Sequence, residues 1–235
     1  MKTMLYLAMT AQELTLFSNP ALSAYMACHF SPYDPGLTNL PESITADSMV
    51  ILNDRIPFLH HDCRLIASQL ASLPCESLLL DLQNTEPEQA KELITSVLSV
   101  VSVPVAVSEQ YAVDCPCAVF LSTVDADRDP LASLNAWSGR DIWLDMSPGC
   151  VCYRIDSHGS RRTREKIFPD SPIHADPNLP CHYGITLTEA EAIFYIYRTW
   201  EDIARIMDQG KKMGISRCIG LHQEWQRFIP DSGNK

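Results

Sequence analysis

Glycine is scarce, with 9 residues in 235. Neither G-x-G-x-x-G nor G-x-x-x-x-G-K occurs, so no dinucleotide-binding turn or phosphate-cradling loop is encoded and no cofactor is implied. Positive charge is also sparse: 18 Lys and Arg stand against 29 Asp and Glu, a net charge of −11. So acidic a surface repels phosphate backbones, which argues against nucleic acid as a partner. No apolar run approaches the roughly 18 residues of a membrane span, so no membrane partner is expected. The opening apolar stretch, Leu5–Met9, is shorter than the 7–15-residue core of a signal peptide and reads as a first strand. Nine cysteines, an odd number without an export signal, predict reduced thiols and a cytoplasmic location. With 46% hydrophobic residues, the chain can build one core, and a single domain over 1–235 is expected.

Eight short apolar runs punctuate the chain: Leu5–Met9, Ala24–Cys28, Met49–Leu52, Leu78–Leu82, Val103–Val107, Ala118–Leu121, Ile142–Leu144 and Cys218–Leu221. They are near-continuous rather than alternating, as in strands covered on both faces. Helical patterns fall between several of them, at His61–Leu73, Pro87–Val101 and Trp200–Met213. The last begins at Thr199 as a cap, carries Glu201 and Asp202 in its first turn, and ends in Lys211, Lys212 and Gly214. Eight strands with intervening helices predict a compact, partly irregular (β/α)8 barrel of the TIM type, with a doubly wound open sheet as the alternative. Two places break the repeat. About ten residues separate Val107 from Ala118, too few for a helical crossover. The stretch 149–198 reads as an insertion between strands seven and eight: a hairpin over Val151–Arg164, a proline-rich Phe168–Pro180 loop and an aromatic strand, Ala192–Tyr197.

Two segments carry a resemblance. Glu76-Ser-Leu-Leu79-Leu-Asp81-Leu-Gln83 in the fourth strand is similar to the motif D-x-x-D-x-D-x-E of glycoside hydrolase family 18, the chitinase-like barrels. The aromatic strand ending at Tyr197, the helix Trp200–Met213 and the strand running to Glu224 and Trp225 resemble that family's closing run. The resemblance implies a glycan ligand bearing an N-acetyl group, with Asp81 in the place of the acid that orients that group. The final acid of the motif, which protonates the leaving oxygen, is replaced by Gln83, and the first two by Glu76 and Leu79. An amide has no proton to give at neutral pH, and losing a general acid costs about 10²–10⁴-fold. The resemblance therefore implies a chitinase-like barrel that has lost hydrolysis and binds an N-acetylated glycan.

Barrel chemistry sits at the carboxyl ends of the strands. Those ends supply His29, Asn53 and Asp54, Asp81 and Gln83, Glu109, Asp125 and Asp127, Asp145, and Glu224 with Trp225. Asp81, Gln83, Asn53, Glu224 and Trp225 are the candidate ligand-binding residues, with Trp143 and Trp225 as candidate sugar platforms. An active enzyme using Asp81 with Glu109 or Asp145 as an acid/base pair remains open, as does a purely structural role. No metal site is assigned. Cys115-Pro-Cys117 and Cys150-Val-Cys152 have C-x-C spacing, poorer for zinc than C-x₂₋₄-C, and buried thiols acting as small apolar residues are the simpler reading. The run Arg161–Arg164 with Lys166 reads as a solvated face, or as an arm toward an anionic ligand or partner subunit. The insertion, with Phe194, Tyr195 and Tyr197, offers a surface for homo-oligomer formation.

Overall fold

The computed structural model describes residues 4–17, 23–42, 44–122, 125–165 and 174–225. Lys166 and the segment 168–173 of the expected proline-rich loop lie outside the described residues. In chain order the strands are β1 (Met4–Met9), β2 (Ser23–Phe30), β3 (Met49–Asn53), β4 (Ser77–Asp81), β5 (Val105–Ser108), β6 (Ala118–Leu121), β7 (Ile142–Asp145), β8 (Cys150–Asp156), β9 (Gly159–Glu165), β10 (His182–Leu187), β11 (Glu191–Tyr197) and β12 (Ile215–Leu221). Strands β1 to β7 and β12 pair in parallel around a ring, and pairing of β1 with both β2 and β12 closes it. This is the (β/α)8 barrel, not the open sheet. Closure removes both sheet edges.

Side chains alternate between two layers, as a strand requires. Tyr6, Ala24, Met49, Ile51, Leu79, Ala106, Phe120, Trp143 and Ile219 fill the barrel interior. Their neighbours in sequence, such as Val50, Leu52, Leu78, Leu80 and Val107, join the larger outer core under the helices. Three helices supply most of that cover: α2 (Cys63–Ala71), α3 (Pro87–Val100) and α4 (Trp200–Lys211), with α1 (Ala11–Leu16) shorter. Local residues fix where the three longer ones begin. Asp62 accepts hydrogen bonds from the amides of Arg64 and Leu65, Pro87 opens α3, and Thr199 forms a reciprocal capping box with Asp202. Gly214 closes the turn after α4 at φ +102°, a conformation that strains any other residue.

Among the described residues, the crossovers from β5 to β6 and from β6 to β7 hold only 3-10 turns, Glu109–Tyr111 and Ala132–Trp137, in place of full helices. Between β7 and α4 the chain builds a second, antiparallel sheet in the order β9-β8-β11-β10, extended by the two-residue strand His174–Ala175. Its basic strand is neither free nor merely solvated. Arg162 reaches Asp125 at 2.5 Å and Asp127 at 3.0 Å, and Arg164 reaches Asp125 at 2.8 Å. Tyr153 Oη donates to Asp127, and buried Arg198 donates to the carbonyls of Asp125 and Arg128. The second sheet is thereby latched to the loop after β6.

Candidate functional site

A cavity of about 580 Å³ opens at the carboxyl ends of the barrel strands. Its wall is apolar lower down, where Ile51, Leu79, Phe120 and Ile219 face inward, and polar at the mouth, where Asn53, Asp81, Gln83 and Asp145 meet. The period of two explains the grouping. Ile51 and Asn53, Leu79 and Asp81, and Trp143 and Asp145 share a phase on their strands, so the residue ending each strand faces the lumen.

Asp81 and Gln83 touch. The Gln83 side chain donates from Nε2 to Asp81 Oδ1 at 2.6 Å. Burial raises the Asp81 pKa above the ordinary carboxylate range, the nearby Asp54 charge adds to this, and the hydrogen bond from Gln83 opposes it. The loop carrying Gln83 is held rigidly from below. Asp54 Oδ2 accepts from the amides of Gln83, Asn84 and Thr85 at 2.9, 2.6 and 2.7 Å, and from Thr85 Oγ1 at 2.9 Å. Burial would raise the Asp54 pKa, but these donors outweigh it and lower it. Gln110 Nε2 donates to the Leu82 carbonyl and Tyr111 Oη to the Thr85 carbonyl, fastening the same loop from the β5 side.

The other candidates divide. Asp145 lines the same cavity as Asp81. Asn53 lines it too, but its Nδ2 donates to the carbonyls of Met26 and Cys28, where the β2–β3 register shifts. It braces that irregularity, and its Oδ1 accepts from the Arg55 amide. Glu109 does not reach the cavity. Ala106 and Ser108 hold the inward phase of β5, which turns the next residue to the exposed outer side. Glu224 is likewise absent from the wall; its Oε2 accepts from Ser147 Oγ at 2.8 Å. Trp225 is fully buried, donates from Nε1 to the Met146 carbonyl at 3.1 Å and packs edge-on against Trp200. After β12 the chain turns outward through α5 (His222–Trp225), so the indole packs in the outer core rather than over the cavity. It lies so close to Gly220 that a Cβ there would collide with it. Trp143 is also sealed, inside the barrel, with the Arg217 guanidinium 4.6 Å from its ring centroid. Neither tryptophan is a sugar platform.

Residues outside the sequence-derived ligand set complete the wall: Thr10, Met26, His29, Arg55, Phe120 and Ser122. His29 was visible as a strand end. Arg55 and Phe120 gave no comparable signal, because a strand interior and an exposed loop each hold many such residues. Burial lowers the His29 pKa, with hydrogen bonding to the Cys28 backbone opposing and Arg55 reinforcing. Among the described residues no group of three His, Cys, Asp or Glu side chains is arranged to hold a metal ion, and no helix is long and apolar enough to cross a membrane.

No family model matches the chain, and no curated protein matches it by sequence. Solved structures do. The spore cortex-lytic enzyme SleL of Bacillus megaterium superposes with a TM-score of 0.62 at 10% identity, covering 96% of this chain and 73% of that one. A GH18 chitinase from Cycas revoluta in complex with (GlcNAc)3 gives a TM-score of 0.62 at 10% identity, covering 93% of this chain and 94% of its own. A glycoside hydrolase family 18 N-acetylglucosaminidase from Paenibacillus barengoltzii gives the same figures. At such identity the likeness is one of fold: the chain has the TIM-barrel fold shared by these GH18 chitinases and glycosidases.

Proposed function

We propose that this barrel binds an N-acetylated glycan in the cavity at β3, β4 and β7 and has lost the hydrolytic step. The observation that carries the reading is the Asp81–Gln83 pair at the cavity mouth. Asp81 is the acceptor that an N-acetyl N–H requires. Gln83 can donate a hydrogen bond to a glycosidic oxygen but cannot transfer a proton to it. Glycosidases of this substrate-assisted kind need both functions. A cavity of about 580 Å³ accommodates a ligand of sugar size. The ligand of the Cycas revoluta chitinase complex, (GlcNAc)3, makes chitin-type oligosaccharides the first to test, with peptidoglycan-type fragments second.

Calorimetric titration with these oligosaccharides tests binding. The expected result is saturable heat that Asp81→Ala weakens at least tenfold, about 1.4 kcal/mol. Absence of heat with either class overturns the glycan reading. Gln83→Glu is expected to raise hydrolysis about 10²–10⁴-fold over the parent chain. A second reading rests on Asp81 and Asp145 sharing the cavity while burial raises the Asp81 pKa: they could serve as an acid/base pair. Measurable hydrolysis by the parent chain, abolished by Asp145→Asn, would favour that enzyme over the binding protein.

A further inference from the structure

The crossover from β5 to β6 is the shortest irregular link in the barrel wall that still carries paired reactive groups. Cys115 and Cys117 lie in it, at the end of the barrel opposite the cavity, since Cys117 immediately precedes β6. Both are unoxidised thiols. Cys117 donates its S–H to Cys115 Sγ at 2.8 Å. A disulfide bond is about 2.05 Å long, so closure needs less than ~1 Å of sulfur movement. The backbone is bent to suit. Arg140 Nη2 donates to the carbonyls of Ala112, Cys115 and Cys117 at 3.3, 2.6 and 2.7 Å, gathering the loop around one guanidinium.

Cys150 and Cys152 have the same spacing and serve as an internal control. On the extended strand β8 their sulfurs stand 3.9 Å apart, and both residues are buried. Spacing alone does not bring the sulfurs together; the bent loop does. Exposure separates the pairs as well: Cys115 is half-buried, whereas Cys117, Cys150 and Cys152 are buried.

We propose that Cys115 and Cys117 form a reversible thiol–disulfide pair, oxidised by a low-molecular-weight disulfide. The half-exposed Cys115, as its thiolate, attacks one sulfur of the incoming disulfide and releases one thiolate, leaving a mixed disulfide. Cys117 then loses its proton to water and attacks Cys115 Sγ, forming the Cys115–Cys117 bond and releasing the second thiolate. One disulfide is reduced to two thiols as two protein thiols are oxidised to one disulfide. Burial and the neighbouring Cys115 push the Cys117 thiol up to about 12, which suits it to the second step rather than the first.

The test incubates the native chain in buffers of rising oxidised-to-reduced glutathione ratio, quenches exchange with acid, blocks the remaining thiols by unfolding the chain in excess alkylating agent, and reads tryptic peptides by mass. Residues 92–128 form one peptide containing Cys115 and Cys117 and no other cysteine, and 141–154 form another containing only Cys150 and Cys152. The expected result is conversion of 92–128 to a form lighter by two hydrogens, reversed by dithiothreitol, while 141–154 stays reduced. Cys117→Ser is expected to stall as a glutathione adduct on Cys115, and Cys115→Ser to leave Cys117 unmodified. A 92–128 peptide that stays reduced across the series, or that oxidises only together with 141–154, overturns the proposal. The parent chain alone decides this if a variant fails to fold.

Discussion

The loop after β3 and the loop after β6 both set buried or half-buried aspartates beyond the carboxyl ends of their strands, and the two are stabilised by different means. Asp54 spends its carboxylate on five donors from the β4 loop, three of them backbone amides. Asp125 and Asp127 spend theirs on Arg162, Arg164 and Tyr153 of the second sheet. The first arrangement shapes a binding loop from within the barrel. The second fastens an added layer to it. Asp81, between them, receives side-chain donors from Gln83 and, more weakly, from Ser108, and lines the cavity. Acids in similar loops therefore play three parts, and only their partners separate those parts.

Substitutions can break this comparison, beginning with the residue expected to matter most for stability and not for ligand. Trp225→Ala empties a fully buried site and should cost about 3–5 kcal/mol in urea unfolding, while leaving glycan affinity within a few-fold where the protein remains folded. A selective loss of affinity would return Trp225 to the cavity. Asp54→Ala strands several donors of a buried loop and should cost about 3 kcal/mol. Its pH signature is also specific. The folded pKa of Asp54 is lowered, so its stabilisation is complete above the unfolded value near 4 and is lost as pH falls through the folded one. Asp54→Asn should accordingly flatten the acid limb of a stability–pH curve.

Arg162→Ala should cost about 1 kcal/mol, as expected for a partly exposed ion-pair network. The effect should be local, and faster amide exchange over 150–165 with unchanged exchange in β3 and β4 would show it. Asp81→Asn should act in the opposite direction from Asp54→Asn. The folded pKa of Asp81 is raised, so its charge opposes folding once pH rises above the unfolded value near 4. The amide should raise stability at neutral pH by less than about 1 kcal/mol and weaken glycan binding. Stabilisation without a binding defect would detach Asp81 from the site.

Much of the architecture was legible because burial on two faces leaves a plain mark. Runs such as Leu78–Leu82 and Ala118–Leu121 could only be covered strands, and Thr199 with Asp202 announced α4 before any packing was known. The fourth-strand motif located Asp81 and Gln83, and alternation along β4 turns Asp81 toward the lumen, while Gln83 is placed by the loop that Asp54 holds. The same alternation, applied to β5, would have excluded Glu109. The error over Trp225 has a different origin: a four-residue turn after β12 redirects the chain, and no local pattern fixes which way a short turn points. Asn53 showed as a strand end, but its brace on β2 depends on a register shift between two strands. The charge run Arg161–Arg164 named no partner, because Asp125 and Asp127 are brought to it only by folding.

The sequence by itself determined the number and order of the barrel strands, the positions of the longer helices, the β8–β9 hairpin and the amide at residue 83. These are properties of local composition and spacing, written in contiguous residues. Only the tertiary structure decided that the strands close into a ring, that Asp54 builds the loop beneath Gln83, that the basic strand latches to the barrel, and that one C-x-C pair is drawn together while the other is held apart. Each of those depends on groups distant along the chain meeting in a fixed geometry. Burial and hydrogen bonding set that geometry, and local spacing does not record it.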